Sequence, residues 1–405
     1  MKVTLSLGSQ AFQRDLALTL ARRGMLSRAL SFGPDLEVLE PDAQDGLRLR
    51  RRYPWYRFAN RALWAAWRRL PGSRRSRNFP IVISTTGADW LLSRQLSRCD
   101  IFHGWTGLSR ACLRAAKRTG AVTVVENPSM HPRSWQRNVL EECERFGIRP
   151  SECRAVLPSA LIRRMEAEFD DCDFIVVPSA VARDSFGDPR YAGKARVIHA
   201  GIDHEFFRPR DAQGSEDIFR VSYAGRVEIA KGVAYLLQAW KQLGLQKAEL
   251  VMIGEVAPEM TSFLREYAMP NVTFTGYLPA AGVRDWYRRS NLFAFPSVNE
   301  GLARVLLEAM ATGLPVVATT ASGAQDCVTA GKNGTIVPAR DPRSLAEALL
   351  WHFEHRDATR EMGRAARNAV EAHFTVEDYE KRMTGFYGSL MKAGVHHETS
   401  AERSP

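Results

Sequence analysis

The chain has 405 residues, 45% of them apolar and 25% charged, with a formal net charge of +11 at pH 7. The length exceeds one comfortable core and predicts two domains, and the ordinary composition excludes a disordered or fibrous class. Six cysteines, Cys99, Cys112, Cys143, Cys153, Cys172 and Cys327, occur without any C-x-x-C spacing, which speaks against a zinc site or a disulfide framework and for a reducing, cytoplasmic home.

The first residues, MKVTLSLGSQAF, read as a strand with no basic stretch leading into an apolar signal core. No run approaches the roughly 18 apolar residues that a membrane span needs. In the first half the predicted strands are KVTLSL from Lys2, PIVIST from Pro80, DIFHGW from Asp100, AVTVVEN from Ala121, DFIVVPS from Asp173 and ARVIHAG from Ala195. Helix-length segments such as QAFQRDLALTLARRG and GADWLLSRQLSR lie between them. Uniformly apolar strands with helical crossovers predict a parallel sheet covered on both faces.

Between Gly46 and Phe79 there are eleven arginines and no acid. At helical spacing Arg57, Arg61 and Arg68 share one face, and Ala59, Leu63, Trp67 and Leu70 another, with Trp64 at the border. Such a segment suits the headgroup layer of an anionic membrane. It equally suits a helix that packs its tryptophans on its own domain.

The pattern breaks at FFRPRDAQGSEDIF (206–219), where proline, glycine and charge cluster as in a linker. It restarts with FRVSYAG, AELVMIG, NVTFTG, NLFAFPS, PVVAT and GTIVP, each followed by a helical stretch. The expected fold class is α/β, with two Rossmann-like doubly wound domains facing a central cleft. The expected boundaries are 1–208, 209–374, a helix at 375–392 that crosses back toward the first domain, and a tail at 393–405. In this tail-side helix Tyr379, Met383, Phe386 and Met391 are candidates for one buried face. Ligands of doubly wound sheets sit beyond the carboxyl ends of the strands, so the cleft is the expected site.

Two stretches of the second half carry the chemistry. In YAGRVEIAKG, Arg226 and Lys231 flank a loop at a strand's carboxyl end, a fork and a point charge that suit a diphosphate. In SVNEGLARVLLEAMATGLPVVA, Glu300 precedes a helix expected over Leu302–Ala311 and Glu308 lies about two turns inside it. Eight residues of helix rise about 12 Å, beyond the roughly 5–9.5 Å between glycosidase carboxylates. The pair therefore reads as two grips on an elongated ligand, or as a helix-start acid and a surface acid. Gly301 gives backbone room near the helix start, where free N–H groups favour phosphate or sugar oxygens.

The ordered set G-R-x(4)-KG, LVMIG, NVTFTGYLP, E-x(7)-E with EAMATGLPVVAT, and NGTIVPARDP resembles the retaining glycosyltransferases of family 4, which have the GT-B fold. HAGIDHEFFRP and IVVPSAVARDSF resemble the end of that family's N-terminal domain. The resemblance implies a nucleotide-sugar donor, with Arg226 and Lys231 on the diphosphate, Glu308 on the ribose, and Glu300 on the transferred sugar beside Gly301 and Leu302. Tyr277 and Leu278 would border the base. It also implies that no metal or other cofactor is needed. The D-x-D at Asp171–Asp173 reads instead as a helix end and a strand start.

In the first domain the family's glycine pair is reduced to Gly8 in LGSQAFQ, which by the resemblance would border the diphosphate. The place of its usual histidine holds Glu126 and Asn127, with His131 four residues on and His103 at another strand end. Each of these four is a candidate for contacting the sugar. The function so implied is sugar transfer to a saccharide or lipid-linked acceptor in surface polysaccharide or glycolipid assembly, in the cytoplasm or at the inner face of its membrane. No nucleic acid is expected, although a basic nucleic-acid-binding protein and a GT-B epimerase or hydrolase are the competing classes.

Overall fold

The computed structural model describes residues 1–8, 11–32, 36–42, 47–69, 78–210 and 218–392. The first half supplies β1 (Val3–Leu7), β2 (Leu26–Ser31), β3 (Glu37–Pro41), β4 (Leu47–Arg51), β5 (Ile101–Trp105), β6 (Val122–Glu126), β7 (Phe174–Val177) and β8 (Ala195–Val197). They form one sheet in the order β4-β3-β2-β1-β5-β6-β7-β8. Pairing is parallel from β2 through β8, and β3 and β4 add an antiparallel edge. β1, β5 and β6 are buried along their whole length, as strands covered by helices on both faces must be.

The second half supplies β9 (Phe219–Ala224), β10 (Ala248–Ile253), β11 (Val272–Gly276), β12 (Leu292–Phe295), β13 (Val316–Thr319) and β14 (Gly334–Val337). All are parallel, in the order β11-β10-β9-β12-β13-β14. Winding reverses between β9 and β12 here and between β1 and β5 in the first sheet. A crevice opens at such switch points. The expected pair of doubly wound α/β domains is what forms.

One predicted strand is a helix. PIVIST lies inside the helix Asn78–Ser93. A six-residue apolar run carries no periodicity that separates a strand from a buried helix. The sheet has no vacancy for it, because β5 pairs directly with β1. The hydroxyls of Ser84 and Thr85 donate to the Ile81 carbonyl in the same helix. A Cβ at Gly87 would meet nothing within 4 Å, so this mid-helix glycine serves no close contact.

The arginine-rich segment does form a helix, Tyr56–Arg69, but exposure does not follow the two expected faces. Ala59 and Arg61 are exposed, while Arg57, Leu63, Trp64 and Trp67 are all half-buried. The side chain of Arg68, and Leu70, lie outside the described residues, as does the tail at 393–405.

Two segments tie the halves together. The last helix, Val376–Lys392, buries Tyr379, Met383, Tyr387 and Leu390 against Val3, Leu5, Leu16 and Leu20 of the first domain. Phe386 is only partly buried and Met391 is exposed, and their neighbours Tyr387 and Leu390 take the buried places instead. In the other direction, the helix Pro132–Arg145 and the loop after it place Val139, Cys143, Cys153 and Ala155 in the second domain's core. The ring of Phe146 packs edge-on against Tyr235 and Phe263 of that domain.

Candidate functional site

The strand ends of the second sheet are laced together by backbone. Gly225 N–H donates to Ile253 O at 2.9 Å, Gly254 N–H to Gly276 O at 3.0 Å, and Val227 N–H to Glu255 O at 3.0 Å. Gly254, at φ 145°, has no alternative: a Cβ there would lie 2.0 Å from the Gly225 carbonyl oxygen. The β9 loop then makes a 3-10 turn, Ile229–Lys231, and passes through Gly232 at φ 64° into the helix Val233–Leu243. A Cβ on Gly232 would lie 2.0 Å from Pro296 O. Lys231 is thereby pinned beside the end of β12, where Val298 N–H and the Ser297 hydroxyl donate to Ala230 O.

From this position the Lys231 ammonium bonds the Glu300 carboxylate. It also lies 5.8 Å from the ring centroid of Trp135, supplied by the first half of the chain. The Glu300 loop is fixed from both sides. Glu300 N–H donates to Ala321 O at 3.0 Å. The fully buried Asn299 donates from its amide to Trp135 O at 3.0 Å and accepts from Asn138 at 3.2 Å. The helix that follows is Arg304–Ala311, shorter at its start than expected because residues 301–303 are still extended or bent.

A cavity of about 340 Å³ lies between the two sheets' carboxyl ends. Its second-domain wall includes Lys231, Glu300, Leu302 and Glu308, and its first-domain wall includes Glu126 and Asn127. Six of the residues singled out in the sequence thus meet in one space, although Glu126 and Lys231 are far apart in the chain. Burial raises the pKa of Glu308, and the neighbouring Arg304 opposes that rise. Arg304, which sequence reasoning left without a role, lines the same cavity; its position one turn before Glu308 was the available signal.

Other expected contacts fall elsewhere. Arg226 is off the cavity wall, with its side chain 41% exposed and 3.1 Å from the Glu228 carboxylate. Tyr277 is 81% exposed and, with Leu278, also stands off the wall. Gly301 serves the domain contact: a Cβ would lie 2.8 Å from both Pro128 O and the Pro178 ring, and the Ser179 hydroxyl donates to Gly301 O at 2.5 Å. Gly8 makes room for the Trp105 ring, 2.8 Å from where its Cβ would be. His131 caps the helix Pro132–Arg145, accepting from Arg133 N–H, and packs among Phe169, Phe186 and Tyr191. Asp171 ends a helix and binds Arg114, and Asp173 accepts from Thr123 N–H, so the D-x-D is structural as expected.

Behind Glu126 lies a buried polar cluster. Gln13 donates to its carboxylate at 3.3 Å, and the Tyr379 hydroxyl lies 3.3 and 3.4 Å from its two oxygens. His103 Nε2 approaches to 3.4 Å, while His103 Nδ1 and the Tyr387 hydroxyl are 2.5 Å apart. Burial pushes Glu126 up to about 7 and His103 down to about 3. The histidine therefore sits neutral behind the wall, and burial makes the carboxyl hold its proton well above the ordinary carboxylate range.

Residues 218–355 match the family model described as Glycosyl transferases group 1. The chain is 29% identical over 273 residues to a D-inositol 3-phosphate glycosyltransferase of Catenulispora acidiphila, an alignment covering 62% of this chain and 63% of that one. It is 28% identical over 248 residues to a lipopolysaccharide core biosynthesis mannosyltransferase of Rhizobium leguminosarum, covering 57% and 66%. Against three of the curated relatives it matches, the chain spans 52% to 63% of their length. Its fold is similar to that of sucrose-phosphate synthase from Thermosynechococcus elongatus, with a TM-score of 0.70 at 20% identity over 97% of this chain and 100% of that one. It is also similar to Anabaena HepE, solved in complex with UDP, with a TM-score of 0.64 at 14% identity over 96% and 100%. These are GT-B folds, and the matched segment contains β9 to β14 together with Lys231, Glu300 and Glu308. Over residues 218–355 the second domain thus matches the glycosyl transferases group 1 family.

Proposed function

We propose that the chain transfers a sugar from a nucleoside-diphosphate sugar to a saccharide or lipid-linked acceptor, with retention at the anomeric carbon. The observation that carries this reading is the single cavity in which Lys231, Glu300 and Glu308 face Glu126 and Asn127. Breaking the bond from the anomeric carbon to the diphosphate builds negative charge on the leaving oxygen and positive charge on the sugar. Lys231 would meet the former, and Arg226 of the same β9 loop would have to turn from Glu228 toward the cavity to join it; with both cations on the diphosphate the donor would need no cofactor for charge compensation. Glu300 would then exchange its bond to Lys231 for hydroxyls of the sugar, and Glu308 would accept from the ribose. The leaving phosphate oxygen takes the acceptor's proton, and no enzymic nucleophile is assigned.

Relatives named for lipopolysaccharide core and for D-inositol 3-phosphate favour surface polysaccharide or glycolipid assembly. That pathway puts the enzyme in the cytoplasm, at the inner face of the membrane. The test is a thermal-shift panel of uridine, guanosine and adenosine diphosphates and their sugars on the wild type and Glu308→Ala. One nucleotide series should stabilise the wild type and lose most of that effect in the variant. No stabilisation by any of them would remove the donor site. Proton NMR of the transferred sugar then reads retention or inversion.

A further inference from the structure

We propose that the surface made by the helices Tyr56–Arg69 and Asn78–Ser93 docks on an anionic lipid bilayer. Twelve large apolar side chains among the described residues are exposed, and five of them lie between positions 49 and 90. They are Leu49, Trp55, Phe58, Ile83 and Trp90, with Phe58 66% and Trp55 55% exposed. The two helices abut: the Tyr56 hydroxyl donates to Ser84 O at 2.5 Å, and the Tyr53 hydroxyl donates to Leu91 O at 3.2 Å. These bonds bring Trp55 and Phe58 alongside the helix that carries Ile83 and Trp90, which are seven residues apart and share a face. Ala59, Ala62, Ala65 and Ala66 are exposed as well, so the solvent side of the first helix is largely apolar. A surface helix of a soluble protein shows the opposite pattern.

Arginine dominates the charge around this apolar surface, with Glu40 bonded to Arg50 and Arg52 on its β4 side. Arg61 and Arg69 on the helix, Arg48, Arg50 and Arg51 on β4, and Arg94 and Arg98 beyond the second helix are exposed. The Arg94 guanidinium covers the Trp90 ring at 3.6 Å. The only acid in either helix is Asp89, which is fully buried and bound by Arg164 and the N–H groups of Ala111 and Cys112. Exposed aromatics flanked by Arg61, Arg69, Arg94 and Arg98, on helices whose one acid is buried, complement a negatively charged headgroup layer: rings enter the interface and guanidinium groups stay with the phosphates. A single-stranded nucleic acid would need successive stacking platforms, and the alanine strip offers a base nothing to stack on.

The inference deepens the proposed function, giving the lipid-linked acceptor a surface from which it is reached, but its test reads separately. The full chain is floated with vesicles of phosphatidylcholine alone and of phosphatidylcholine mixed with phosphatidylglycerol. Binding should be confined to the mixed vesicles and weaken as salt rises. Phe58→Ser with Trp90→Ser, and separately Arg61→Glu, should each lower it roughly tenfold. Trp351→Ser, at an exposed tryptophan far along the chain, should leave it unchanged, and nucleotide thermal shifts should be equal in all variants. Absence of flotation, equal flotation with neutral vesicles, an equal loss in Trp351→Ser, or an oligonucleotide bound more tightly than the mixed vesicles would each overturn the proposal. A chain that binds nucleotide but does not float loses this inference alone. One that floats without binding nucleotide keeps it and loses the transfer reading.

Discussion

On the second domain's side of the cleft, charge is displayed: Lys231 and Glu300 bond each other on the cavity wall, and Arg226 leans on Glu228 nearby. On the first domain's side charge is suppressed, with His103 held neutral and Glu126 raised toward neutrality by burial. A wall of paired charges can exchange partners when a charged ligand arrives, because each ion already has its solvation supplied by protein. A wall of buried, nearly neutral groups presents hydrogen bonds and shape, and it suits a ligand without charge. In the proposed transfer this difference would put the diphosphate on one side and the sugar or acceptor hydroxyls on the other.

The strongest attempt to break that comparison is Lys231→Ala, which should lower kcat/KM by roughly a hundredfold to a thousandfold, as loss of a group facing developing charge does. Steady-state transfer with the nucleotide-sugar selected by thermal shift measures it, and a loss under tenfold would move the diphosphate elsewhere. Glu126→Gln probes the neutral wall through stability. The native carboxyl titrates near 7 against an ordinary 4.5, so the native state holds its proton longer than the unfolded chain. This group's penalty on stability is therefore absent below about pH 4.5, grows as pH rises, and is complete above about 7. Removing it should raise stability at pH 8 by on the order of 3 kcal/mol and leave pH 4 unchanged, read from urea unfolding at the two values. An equal change at both pH values would mean that the carboxyl titrates alike in the native and unfolded chain.

Glu308→Ala should raise the donor KM by about tenfold to a hundredfold with little change in kcat, the cost of a hydrogen bond to a charged acceptor that is made equally in ground and transition states. The smallest effect is expected from Gly301→Ala. Its Cβ meets Pro128 and Pro178 across the domain contact, so it should cost about 1–2 kcal/mol of stability, read by urea unfolding. If Gly301 lies against the ligand instead, stability will hold and the donor KM will rise.

The same contrast governs what could be read from the chain. Five of the six strands of the second sheet end at glycine or proline, and most are apolar runs. Lys231, Glu300 and Glu308 follow those ends at short distances, so the sequence places them on one wall. The first domain resisted for physical reasons. PIVIST has the composition of a strand and is a helix because the neighbouring sheet positions are already paired. His131 and His103 look alike on paper, yet one caps a helix among aromatic rings and the other bonds Tyr387, 284 residues away. Asn299 and Trp135 join across 164 residues, and no local pattern carries such a contact. Arg304 was visible as an odd charge inside a helix, but only the fold turns it into the cavity.

The residues from Pro132 to Ala155 leave the first sheet and finish the core of the second domain. For anyone recombining these halves with those of a relative, the cut that respects the packing is not a single point near residue 208. A donor half exchanged without this segment would lose Val139, Cys143, Cys153 and Ala155 from its interior and Trp135 from beside Lys231. Functional chimeras should therefore be multi-piece joins, with 132–155 inherited from whichever parent supplies the second domain and 376–392 from the parent that supplies the first.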